Sequence, residues 1–129
     1  MADTAPPIRI TAIRTVGVPV TDQDRALEFF VERLGFDTVM DVPLPGGTAR
    51  WITVAPSGSD VTIALVSHGE LPTGVETGIR FVTPDADADH AAMQARGVEV
   101  DDVLRWPGVP AMFAFRDPEG NGYELIEEA

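Results

Sequence analysis

The stretch Ala114-Phe115-Arg116-Asp117-Pro118-Glu119-Gly120-Asn121-Gly122-Tyr123-Glu124-Leu125-Ile126 reads as two strands joined by a tight turn. Asp117 can accept hydrogen bonds from the amides of the turn, Pro118 presets φ, and Gly120 and Gly122 tolerate positive φ. On either side the residues alternate. Phe113 and Phe115 point one way before the turn, with Met112, Ala114 and Arg116 the other way; after it, Tyr123 and Leu125 share one face and Glu124 and Ile126 the opposite one. One carboxylate, Glu124, is thereby placed mid-strand beside an apolar neighbour, which makes it the first place to look for a site.

Read outward from this hairpin, the chain repeats itself. Residues 10–20 form a strand pattern ending near Pro19, which suits an edge. Thr21 or Asp22 caps a helix whose apolar positions Leu27, Phe30, Val31 and Leu34 follow helical spacing, and Gly35 ends it. Strand patterns follow at 39–42, 50–55 and 61–66. After a Gly- and Pro-containing stretch from His68 to Gly74 the order restarts. A strand at 79–82 precedes a helix over 86–96, capped by Asp85 and closed by Gly97. Strands follow at 98–104, 110–116 and 122–127. Asp22 to Asp85 is 63 residues, Gly35 to Gly97 is 62, and Pro56 to Pro118 is 62. A near-constant offset across cap, helix end and turn indicates an internal duplication. From the residues alone the fold class is α+β, as a duplicated β-α-β-β-β unit.

Composition sets the outer limits. A chain of 129 residues with 44% apolar and 23% charged residues fits one globular domain. The net charge is −12, and all nine basic residues are Arg. Such a surface repels nucleic acid and anionic membranes, and it attracts cations or does no more than keep the chain soluble. Without cysteine there are no disulfides, thiolate metal sites or Cys nucleophiles. The first eight residues lack an apolar signal core, and no run approaches about 20 apolar residues, so a cytoplasmic location is expected.

The phrase "FRDPEGNGYEL", with "VTDQDRALEFFVERLGF" and "DADADHAAMQARGVEV" at the two helices, resembles the vicinal oxygen chelate superfamily of glyoxalase I, bleomycin-resistance proteins and extradiol dioxygenases. The likeness runs from residue 10 to 127. It implies one domain over 1–129, with a first module at about 8–67, a linker at 68–76 and a second module at about 77–128. It further implies a paired, cup-like mixed β-sheet with helices on the outside. Metal-dependent members carry four ligands, two per module. Carried over, these fall at Thr15, at Thr62 or Ala64, near Thr77 or Gly78, and at Glu124. Only Glu124 can ligate well, and one carboxylate does not hold a transition metal where three protein ligands are usual. No metal and no cofactor are therefore expected. His68 reads as a linker residue and His90 as a packing residue on the second helix; neither falls at a ligand position.

The functional expectation is a metal-free protein that binds a small amphiphilic molecule between the cups, as bleomycin-resistance proteins do. The alternative is a lyase, isomerase or dioxygenase-type enzyme with Glu124 as base or residual metal ligand. The candidate ligand-binding residues are Thr15, Arg50, Trp106, Arg116 and Glu124. Arg116 could anchor an anion or pair with Glu124 across the hairpin, and Trp106 could form a lid or cavity wall. Trp51, Phe113, Phe115 and Tyr123 read first as core. The strand edges and apolar flank left by each cup, together with the resemblance, point to a homodimer.

Overall fold

The computed structural model describes residues 5–67 and 72–128. The fold is α+β, with two mixed sheets and two helices. The first sheet has the order β1-β4-β3-β2, from β1 (Thr15–Pro19), β2 (Asp37–Pro43), β3 (Arg50–Ala55) and β4 (Thr62–Val66). The second has the order β5-β9-β8-β6, from β5 (Glu76–Thr83), β6 (Glu99–Val100), β8 (Val109–Arg116) and β9 (Gly122–Glu127). A short β7 (Leu104–Trp106) pairs with β8 outside this path. In each half the first strand runs parallel to the last, β1 with β4 and β5 with β9. The duplication in the sequence is thus a duplication of topology.

The helix caps repeat as well. Helix α1 (Gln23–Glu28) begins at Asp22, whose side chain accepts from the Arg25 amide at 3.0 Å; α2 (Ala86–Ala95) begins at Asp85, which accepts from Ala88 at 3.0 Å. Gly35 and Gly97 both carry φ of 78°, the left-handed conformation in which a helix ends most cheaply on glycine.

Three local expectations need correction. The first helix is not one regular α-helix, because Phe29–Arg33 forms a π-helical turn in which the Leu34 amide donates to the Phe29 carbonyl. Phe29 and Phe30, at the start of that wider turn, are both buried in the core. The expected strand at 98–104 divides into β6 and β7. Between them the Asp101 carbonyl bonds the His90 ring at 2.8 Å rather than a strand neighbour. Gly122 does not adopt positive φ; its reason is space, since a Cβ there would collide with the side chains of Glu76 and Arg116.

One core joins both halves. Val18, Ile52, Val54, Ile63 and Leu65 of the first sheet form a single cluster with Phe113, Phe115, Tyr123 and Leu125 of the second. Rings bridge the seam: Phe30 meets Tyr123 edge-on at 5.7 Å, and Phe36 meets Phe81 at 5.4 Å. Because strand side chains alternate, each sheet turns its inward face to this core and its other face away from it. His90 packs as expected, edge-on against Phe113 at 5.0 Å. Trp51, read as core, is instead 37% exposed on the outward face of the first sheet. His68 lies outside the described residues.

The Asp117 turn locks the halves together. Asp117 is buried and accepts from the Glu119 and Asn121 amides, the Asn121 side chain and the Tyr123 hydroxyl, at 2.8 to 3.1 Å. Asn121, wholly buried, donates to the Pro19 carbonyl at the end of β1 and accepts from the Val75 amide before β5. Glu119 reaches the start of α1, accepting from the Thr21 amide at 2.7 Å, the Asp22 amide at 3.0 Å and the Thr21 hydroxyl. Two side chains of one turn, Glu119 and Asn121, thus fasten β1, α1 and the approach to β5 to the second sheet, and Asp117 holds the turn that presents them.

Glu119 gives this lock a pH dependence. Burial pushes its pKa up, but the hydrogen bonds from Asp22 and Thr21 and the nearby Arg25 outweigh that and hold the carboxyl below its usual value of 4.5. A depressed folded-state pKa contributes stability that is present above the unfolded value and lost as pH falls through the folded one. Urea midpoints measured from pH 6 downward should therefore fall below about pH 4.5. Glu119→Gln should flatten that fall and cost about 1 kcal/mol at neutral pH. A variant with the acid profile of the unaltered chain would remove Glu119 from this role.

Candidate functional site

The outward face of the second sheet carries an ordered array of side chains. Strand register sets Arg80 beside Glu124 and Glu124 opposite Ala114, which makes one row. The next row is Val82, Ile126, Met112 and Leu104, four apolar residues across four strands. A charged row therefore runs alongside an apolar one. The apolar row is poorly covered: Val82 is 64% exposed and Leu104 45%. Such a face suits an amphiphilic partner better than water alone.

Glu124 is half-buried, and its partner is Arg80 at 3.4 Å. Arg116 does not pair with it across the hairpin. Its guanidinium donates instead to Glu76 at 2.7 Å and lies 3.7 Å from Glu99. The register explains this: Arg116 stands opposite Gly122, whose missing side chain makes room for Glu76, while Glu124 stands opposite Ala114 and next to Arg80. Arg80 carried no signal in a single sequence, because the partner of a mid-strand carboxylate is set by parallel register between distant strands.

The other candidates are spread over the molecule. Thr15 lies on the outward face of the first sheet, with its hydroxyl 2.9 Å from that of Thr62. Arg50 begins β3, held by two carboxylates, Asp24 at 2.9 Å and Asp41 at 3.0 Å. Trp106, on β7, is 53% exposed near the tip of the β7–β8 hairpin. Thr15 and Glu124 therefore belong to faces of different sheets that both turn away from the shared core. A mainly apolar groove of about 720 Å³ follows the β5 edge, lined by Val16 and Ile63 from the first half and by Ile79, Arg80 and Val82 from the second. It reaches the Glu124 face through Arg80.

The donor set can be tested directly for a metal. Among the described residues no three His, Cys, Asp or Glu side chains come together where they could hold an ion. At the positions where relatives would supply ligands stand a hydroxyl pair, Thr15 and Thr62, and a carboxylate already paired to an arginine. These groups do not fit a divalent transition metal.

The sequence profile of the Glyoxalase/Bleomycin resistance protein/Dioxygenase superfamily matches residues 12–125, nearly the whole chain. The chain belongs to this superfamily. Among solved structures it is similar to TnmS3, an antibiotic binding protein from Streptomyces sp. CB03234. That pair is 37% identical with a TM-score of 0.82, covering 95% of this chain and all of the other. A glyoxalase/bleomycin resistance protein from the same strain is 40% identical with a TM-score of 0.76, covering 89% and 99%. A superfamily member from Sphaerobacter thermophilus DSM 20745 is 32% identical with a TM-score of 0.83, covering 92% and 98%. Among the described residues no helix is long and apolar enough to cross a membrane.

Glu124→Gln separates a ligand-facing role from a structural one. A half-exposed ion pair is worth little, so the change should alter stability by less than about 1 kcal/mol. Its coupling to Arg80→Met in a double-mutant cycle should be no larger. A loss of about 2 kcal/mol or more with strong coupling in urea melts would make Glu124 a structural residue.

Proposed function

We propose that this protein binds a small amphiphilic molecule without a metal or cofactor, on the sheet face built from Arg80, Glu124 and the Val82–Ile126–Met112–Leu104 row. The binding pocket closes against a second copy of the chain. The observation that carries the reading is the pairing of a charged row with an uncovered apolar row on one face. Support comes from the likeness to an antibiotic binding protein over nearly the full length of both chains. Glu124 and Arg80 offer one group of each sign, so they can meet a ligand ammonium or a ligand carboxylate, while the apolar row takes its hydrocarbon part. The strongly acidic chain favours a cationic ligand at long range.

A second copy follows from what one chain leaves uncovered. Besides the apolar row, Ile8 and Ile10 are each 85% exposed and Ile13 71% on the segment that leads into β1. Met40, Val42 and Trp51 are uncovered on the first sheet. Patches of this kind on a small chain mark association surfaces.

The test is a thermal-shift and native mass-spectrometry screen of amphiphilic antibiotics, cationic and neutral, bleomycin among them, with elemental analysis of protein purified without chelator. The expected result is a dimer that takes up one or two small molecules and less than about one metal ion per ten chains, since a loaded metal site would be near stoichiometric. Glu124→Gln should weaken a cationic ligand about tenfold, the loss of one charge contact. Stoichiometric metal would overturn the metal-free reading. Tight binding that Glu124→Gln and Val82→Arg leave unchanged would overturn the assignment to this face.

A further inference from the structure

A second cavity lies at the seam between the two halves; Val82, from the apolar row of the Glu124 face, lines it too, but Arg80 and Glu124 do not. There the π-helical turn after α1 and the end of α2 meet, and each supplies an arginine. Arg33 and Arg96 are 63 residues apart, the offset of the two helix caps and one more than that of Gly35 and Gly97. They reach across to one another's helix ends: Arg96 Nη1 donates to the Arg33 carbonyl at 3.0 Å, and Arg33 Nη1 to the Gly97 carbonyl at 3.5 Å.

Of the arginines without an ion pair among the described residues, Arg9 and Arg14 are exposed ahead of β1, while Arg33 and Arg96 share one cavity. Arg25, Arg50, Arg80, Arg105 and Arg116 all form ion pairs with carboxylates, as a chain of net charge −12 would lead one to expect. Among the described residues neither Arg33 nor Arg96 has a carboxylate within ion-pair distance. Each guanidinium has five N–H groups and spends one on a carbonyl. Beside the pair opens a cavity of about 160 Å³, walled by Phe36, Phe81, Ala92, Met93 and Leu125. Asp89 also lines it, so the three charged side chains sum to one positive charge.

We propose that this cavity is a second ligand site, which takes a monoanion with one apolar group the size of a six-membered ring, an aromatic monocarboxylate being the fitting class. Size supports this: an apolar cavity of about 150 Å³ holds one benzene molecule. Chemistry supports it too, because planar guanidinium forks match a carboxylate. The single net positive charge disfavours phosphate and other dianions. The competing account is that the two arginines serve only to satisfy carbonyls at the helix ends and complement their dipoles. That account predicts a stability role and no carboxylate binding.

The experiment is an amide NMR titration of the whole chain with benzoate, and with acetate and benzyl alcohol as probes lacking the ring or the charge. Benzoate should give saturable shifts at Ala92, Met93 and Arg96, with acetate and benzyl alcohol each at least about tenfold weaker. Ala92→Leu, which fills the cavity, and Arg96→Gln should each weaken benzoate about tenfold or more, while Arg96→Lys keeps part of the affinity. A dispersed amide spectrum shows that each variant is folded; should Arg96→Gln fail to fold, Ala92→Leu and the two control probes still decide. Shifts that spare Ala92, Met93 and Arg96, no saturation with benzoate, or unchanged affinity in a folded Ala92→Leu chain would overturn the proposal. Glu124→Gln, which alters the other face and not this cavity, should leave benzoate binding unchanged, so the two sites are tested apart.

Discussion

Asp117→Ala is expected to destabilise the chain by roughly 3–5 kcal/mol, a large share of the stability of a domain this size. The carboxylate takes four hydrogen bonds, two from the turn amides and two from the side chains of Asn121 and Tyr123. Removing it strands the Tyr123 hydroxyl, whose residue is buried at 1% exposure with its ring stacked 5.4 Å from Phe115. It also leaves the Asn121 amide with only the Pro19 carbonyl. Burial, and the charge and hydrogen bond of Asp117, raise the Tyr123 pKa well above its ordinary value, so the phenol is a neutral donor at neutral pH. Tyr123→Phe should therefore cost less, about 1–2 kcal/mol, because it deletes the donor along with the need for an acceptor. In a double-mutant cycle the two losses should fall short of additivity by at least about 1 kcal/mol. Urea unfolding of the three variants checks this. A loss under 1 kcal/mol for Asp117→Ala would show that the turn does not fasten the halves, given the range expected of a buried hydrogen-bonded charge.

The same turn shows what a single sequence can and cannot reveal. Its alternation placed Phe113, Phe115, Tyr123 and Leu125 in the core and Glu124 and Ile126 on the opposite face, as the structure has them, because strand periodicity is local. Helix caps at Asp22 and Asp85 and glycine endings at Gly35 and Gly97 were legible for the same reason. The roles of Glu119 and Asn121 were not. Their partners lie 46 to 102 residues away in sequence, and no local pattern marks a side chain that reaches another half of the molecule. The Glu124 partner was hidden likewise: the hairpin suggested Arg116, whereas parallel pairing with β5 supplied Arg80. Trp51 reads as core with the other strand aromatics, but its place on the outward face depends on which side of the first sheet meets the shared core. The paired arginines at the seam could have been suspected from their repeat offset, though not the cavity beside them.

Val82→Arg should have the largest effect on assembly and binding while leaving the fold nearly intact. Val82 is 64% exposed, so a longer polar side chain costs the single chain little, within about 1 kcal/mol. In the apolar row with Ile126, Met112 and Leu104 it sits where a second copy and an amphiphilic ligand would bury it. A guanidinium forced into such an interface without a partner costs several kcal/mol, enough to weaken association more than about a hundredfold. The arginine would also stand one row from Arg80, adding like-charge repulsion. Sedimentation at micromolar concentration should then show the unaltered chain as a dimer and Val82→Arg as a monomer. Ala91→Arg, exposed on α2, serves as the control and should remain a dimer. Ligand binding should fall together with the dimer, because the proposed pocket needs both copies. If Val82→Arg remains dimeric yet loses the ligand, the face binds the molecule without the partner, and the two halves of the proposal separate. If the unaltered chain is itself a monomer that binds tightly, the second copy has no part in the site. In that case the groove along β5, which Arg80 and Val82 also line, becomes the place where the ligand must lie.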